Sequence, residues 1–107
     1  MSIDIKGSGR FLSIHGSTWN AVQQVAREYG CTLQYENRAD EERGWGDYGD
    51  YVIEKSARSF ARALFKAIHA IEAGRASKRL VKLAKEARVG ILREIADLAV
   101  VGRFYVD

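Results

Sequence analysis

The chain contains no proline, one cysteine and one methionine. Without proline there is no polyproline spacer, and no repeat, linker or low-complexity segment separates domains. One domain spanning residues 1–107 is therefore expected. A single cysteine cannot close an internal disulfide, so the core alone must hold the fold, and a reducing compartment is expected over a secreted one. No apolar run approaches the roughly 18 residues that a membrane span needs. The opening Met1-Ser2-Ile3-Asp4-Ile5-Lys6 has neither the basic region nor the apolar stretch of a secretory signal, which points to the cytoplasm.

Site motifs are equally scarce. Two histidines and one cysteine without ligand spacing make a poor zinc site. Gly7-Ser8-Gly9 is too short for a phosphate loop, and the calcium-loop spacing with its terminal bidentate glutamate is absent. There is no ribonucleoprotein motif and no helix-turn-helix signature. No cofactor and no metal are expected.

What is present is a core and a divided charge. Of the 107 residues, 47% are apolar and 10% aromatic, and a chain of this size buries about two-thirds of its surface on folding. The net charge of +3 is a cancellation. Residues 1–30 carry +1, residues 31–56 carry −4 from three bases and seven acids, and residues 57–107 carry +6 from eleven bases and five acids. Such asymmetry points to charged partners more than the total does.

The order of elements follows from periodicity and punctuation. Residues 2–6 and 11–15 alternate apolar with polar across the glycine turn, predicting a β-hairpin. Gly16-Ser17-Thr18 offers a helix entry, with a hydroxyl to cap the first turn. Trp19, Val22, Val25, Ala26 and Tyr29 then recur at helical spacing until Gly30, predicting a first helix over about 18–29. Thr32–Glu36 and Tyr51–Ile53 read as two strands around a long polar loop. Ser56 is placed to cap a second helix with the stripe Ala57, Phe60, Ala61, Leu64, Ile68 and Ile71, ended by Gly74. Ser77 or Ala76 opens a third, with Leu80, Ala84, Ala87, Ile91, Ile95 and Leu98 on one face. Gly90 inside it suggests a kink or a close helix contact. Residues 103–106 read as a last strand. The fold expected is α+β: a small, mostly antiparallel sheet of three to five strands packed on one face by two to three helices.

Two surfaces stand out. Arg75, Lys78, Arg79, Lys82, Lys85 and Arg93 fall opposite the apolar stripe of the third helix, and Arg58, Arg62, Lys66 and His69 do the same on the second. Turned to one side, they would form a broad positive surface that attracts phosphates by releasing counterions. The plainer alternative is that these cations only keep outer helix faces solvated. A nucleic-acid role would rest on electrostatics alone, because no aromatic stacking platform is visible beside them. The second surface is the loop 37–50. It combines Asp40, Glu41, Glu42, Asp47 and Asp50 with Trp45 and Tyr48 among glycines. Aromatics there are candidate partner anchors, unless Trp45 folds back onto the sheet or core.

Catalytic constellations are thin. His15 ends a strand and His69 lies on a polar helix face. Cys31 follows a helix C-terminus, where the dipole disfavours a thiolate. A Cys31/His15 pair is the one nucleophile arrangement left open, and no enzyme is expected. Trp19 and Phe65 read as core residues, Phe65 at the boundary of the basic side. Val81, Val89, Leu92, Ala99 and Val100 exceed what one core face needs, and Val81, Leu92 and Ala99 share a flank. They bury against the sheet or pair with a second copy.

The run Ile14-His15-Gly16-Ser17-Thr18-Trp19-Asn20-Ala21-Val22, with Ala26-Arg27-Glu28-Tyr29-Gly30 and Ala57-Arg58-Ser59-Phe60-Ala61-Arg62-Ala63-Leu64, resembles small phage and prophage accessory proteins. In these, a Gly-Ser-Thr-Trp helix entry leads through an aromatic loop to an alanine-rich helix. The likeness covers residues 11–73, and the basic third helix lies outside it. The loop here is more acidic, the usual Gly-Gln before the second helix is missing, and no catalytic residue carries over. The resemblance implies a phage or mobile-element protein that binds a host protein or protein–nucleic-acid complex stoichiometrically and inhibits it, for example an anti-CRISPR-like inhibitor of host defence. Direct DNA or RNA binding by the basic helix faces is the alternative, and a structural homodimer the second.

Overall fold

The computed structural model describes residues 2–7, 9–36 and 50–107. Its elements are β1 (Ser2–Gly7), β2 (Arg10–His15), α1 (Gly16–Arg27), β3 (Asp50–Val52), α2 (Glu54–Glu72), α3 (Lys78–Ala87), α4 (Val89–Val100) and β4 (Phe104–Val106). The strands form one antiparallel sheet in the order β2-β1-β4-β3. This is the expected α+β class.

The sheet has one apolar face because the alternation of its strands is in phase. Ile3 pairs with Ile14, Ile5 with Leu12 and Val106, and Val52 with Phe104, so these side chains share the inner face. On that side Phe60 of α2 lies 6.3 Å from Phe104 and 5.9 Å from Trp19, centroid to centroid, and all three rings are buried. Trp19 is thus core, as expected. Across the opposite face runs the cross-strand row Phe11, Lys6, Tyr105 and Tyr51, with the Arg103 guanidinium 3.9 Å from the Tyr51 ring centroid.

Three local expectations need correction. First, α1 starts at Gly16, and its cap is His15 rather than Ser17 or Thr18. The His15 Nδ1 accepts from the Ser17 amide at 3.2 Å and lies 2.7 Å from the Ser17 hydroxyl. Second, Ser56 lies inside α2, which begins at Glu54 without a side-chain cap. Its buried Oγ instead accepts from the Gln34 amide. Third, residues 32–36 do not form a full strand. They meet β3 through the bridge Tyr35–Val52, with Glu36 donating to the Tyr51 carbonyl and Ile53 to that of Gln34.

The third helix of the sequence is two helices. Arg88 takes φ 70° and ψ 129°, closing α3 and opening α4. The break lies two residues before Gly90, which is exposed, with open space where a Cβ would stand. It lets one stretch serve two neighbours: α3 packs along α1, and α4 turns back along α2. Leu92 and Ala99 are thereby fully buried, while Val81 and Val100 stay exposed. The apolar flank expected from a continuous helix is therefore not one exposed surface.

Candidate basic binding groove

Helix α2 buries Ala57, Phe60, Ala61, Ala63, Leu64, Ala67 and Ile68 and turns the opposite side outward. Lys55, Arg62, Lys66 and His69 lie on that outer side at helical spacing. Gly30, at φ 75°, reverses the chain after α1 where only a residue without Cβ is unstrained, and brings residues 31–34 beside α2. The Ser56–Gln34 hydrogen bond of 2.9 Å holds them there.

A cleft of about 390 Å³ lies between these segments. Lys55, Arg62 and Lys66 supply its charge, Thr32, Ser56 and Ser59 its hydroxyls, and among the described residues no carboxylate lines it. The Arg62 guanidinium is held by donating to Ser59 Oγ at 3.2 Å. Cys31 forms part of the same wall. Burial pushes its thiol pKa up, and the positive charge of Arg62 offsets only part of that rise.

A second recess, of about 420 Å³, continues from the first, with Tyr29 and Lys66 as shared walls. Its apolar lining is Tyr29, Phe65 and Ala70, and its cations are Lys66 and Arg75 beside His69. Here too no carboxylate among the described residues contributes. Tyr29 is 38% exposed, not on the buried stripe of α1, and Phe65 is half-buried. Together the two form one groove, polar and cationic at one end, aromatic at the other.

The cations expected from the sequence divide into two sets. Arg58 pairs with Glu54 at 3.0 Å, Arg79 with Glu28 at 3.2 Å and Arg93 with Glu72 at 2.9 Å. All three are surface ion pairs: the first lies within the opening turns of α2, and the other two tie α3 to the end of α1 and α4 to the end of α2. Arg62, Lys66, Arg75, Lys78, Lys82 and Lys85 have no carboxylate partner among the described residues. The first three of these line the groove, and Lys78, Lys82 and Lys85 form a separate exposed stripe on α3.

Other expected residues fall elsewhere. Asp40, Glu41, Glu42, Trp45, Asp47 and Tyr48 lie outside the described residues, and Asp50 opens β3 opposite Val106. Cys31 and His15 sit beyond opposite ends of α1, a helix of 12 residues and so about 18 Å long, which separates that pair. The residues that sequence reasoning missed are Lys55 and Tyr29. The 4-3-4 spacing of Lys55, Ser59, Arg62 and Lys66 was a visible signal for the first. Nothing local showed that Tyr29 leaves the α1 stripe. No family model, curated protein or solved structure matches this chain.

Proposed function

We propose that this chain is a non-enzymatic binding protein that contacts a negatively charged macromolecular partner stoichiometrically through its basic groove. The observation that carries this reading is the segregation of charge. Among the described residues Arg62, Lys66 and Arg75 face the groove without a carboxylate, while Arg58, Arg79 and Arg93 are neutralised away from it. Cations left unpaired along a concave surface focus potential and accelerate capture of an anion. Thiol chemistry is not favoured by the same site, because Cys31 has a raised pKa and so little thiolate at neutral pH.

The likeness to phage and prophage accessory proteins supports a host target in the cytoplasm, either a protein or a protein–nucleic-acid complex, inhibited by occupancy. Capture from host lysate tests the reading. The intact protein retains a partner at low salt, and the triple charge reversal R62E/K66E/R75E releases it. Retention of the same partner by the reversed protein would overturn the groove as the contact surface.

A further inference from the structure

The groove has two ends of different chemistry, and nothing in a merely basic surface requires that. One end offers three cations and three hydroxyls around about 390 Å³, and the other an aromatic recess of about 420 Å³ rimmed by Lys66 and Arg75. The compartments share Lys66 and Tyr29, so a ligand filling both must carry negative charge and a flat apolar group side by side. Nucleotides have that pairing. An acidic peptide supplies a planar group only where it carries an aromatic residue, whereas every nucleotide has one, and an inorganic phosphate leaves the recess empty.

The spacing favours a strand over an isolated nucleotide. Along α2, Arg62 lies about 10.5 Å beyond Lys55, and Lys66 about 6 Å, one helical turn, beyond Arg62. Cations recurring at such a step meet successive phosphates of an extended backbone. Duplex is disfavoured, because paired and stacked bases present their edges, and only an unstacked base exposes a face to Tyr29 and Phe65. We infer that the groove binds single-stranded nucleic acid, with backbone phosphates on Lys55, Arg62 and Lys66 and a base in the Tyr29/Phe65 recess. This rests on the groove being the contact surface, and names its occupant.

Fluorescence anisotropy with a labelled oligothymidylate, the same strand annealed to its complement, and polyglutamate tests the inference. The single strand is expected to bind more tightly than either competitor. The double variant R62Q/K66Q is expected to weaken binding and flatten the log–log salt slope by about 1.4, since each lost single-strand phosphate contact removes about 0.7. Tyr29→Ala is expected to weaken binding roughly tenfold with the salt slope unchanged, as loss of a stacking partner does. Tyr29→Phe is expected to bind as the parent does, and circular dichroism checks that each variant is folded. Equal affinity for duplex or polyglutamate overturns the inference, as does a folded Tyr29→Ala protein with parental affinity. If no oligonucleotide binds while R62E/K66E/R75E still releases the lysate partner, the contact surface stands and its nucleic-acid occupant falls. If neither occurs, both fall.

Discussion

Ser56 Oγ accepts the Gln34 amide hydrogen at 2.9 Å, and this one bond fastens the segment after α1 to the flank of α2. Ser56 is the one buried polar residue among those described, and its partner is the wall of the cleft. Ser56→Ala leaves the Gln34 N–H without its acceptor in a partly buried position, which costs about 1–2 kcal/mol. Chemical denaturation should show that loss. Amide exchange should show Gln34 deprotected more than the sheet, because the loosening is local. Unchanged exchange at Gln34 would mean that backbone pairing with β3 alone holds the segment.

Arg88 carries the one non-glycine positive φ among the described residues, with ψ at 129°. A residue with a Cβ is strained there by about 1–3 kcal/mol, and glycine is not. Arg88 is exposed and makes no ion pair with a described residue, so its side chain offsets little of that strain. Arg88→Gly is therefore expected to raise stability by about 1 kcal/mol, less whatever entropy the freer unfolded chain gains. Arg88→Ala should bring no such gain. A thermal melt of the two variants separates backbone relief from loss of charge.

Sequence and structure part company at this same residue. The hairpin, the α1 stripe up to Ala26, the α2 stripe, a helix start near Ser77 and the glycine stop at Gly74 were all readable, because each depends on neighbours in the chain. The α3–α4 break was not. Leu80, Ala84, Ala87, Ile91, Ile95 and Leu98 keep helical period straight through Arg88, and nothing at that position announces a turn. The break is set by which partners α3 and α4 must cover, a fact of tertiary packing. The groove was half legible for the same reason. Helical spacing revealed Arg62 and Lys66, but which cations are neutralised depends on Glu28 and Glu72, 51 and 21 residues from their partners.

Gly7 and Gly90 should respond to alanine with opposite signs. A Cβ on Gly7 would lie 2.9 Å from Phe104 Cβ and 3.1 Å from Leu98 Cδ2, where β1 meets β4 and α4. Overpacking of that kind costs about 1–3 kcal/mol. A Cβ on Gly90 would meet nothing within 4 Å, and replacing glycine near the start of α4 should gain about 0.5 kcal/mol. Denaturant midpoints of the two variants should move in opposite directions at constant m-value.

His15 caps α1 through Nδ1 rather than through an oxygen. His15→Ala removes the acceptor of the Ser17 amide and should cost about 1 kcal/mol, whereas His15→Asp supplies a shorter, charged acceptor beside the positive helix end. The aspartate variant should be at least as stable as the parent, and the alanine variant less stable, in thermal melts at neutral pH. Equal melting of both variants would assign the cap no energetic role.

Cys31 makes the cleft observable by pH. Burial lifts its thiol pKa above the ordinary value, against the pull of the Arg62 charge. A group whose pKa is higher folded than unfolded binds its proton more tightly in the native state. Its contribution to stability is complete below the unfolded pKa, and is lost as pH rises from about 9 through the folded value. The same shift makes the native thiol slow to alkylate, since only thiolate reacts. Native Cys31 should react with iodoacetamide more slowly at pH 8 than the unfolded chain does, and its rate should still climb where that of the unfolded chain has levelled. Arg62→Gln removes the one charge that lowers the pKa, so it should displace the native profile further toward alkaline pH. A profile that stayed in place would separate Arg62 from the Cys31 wall of the cleft.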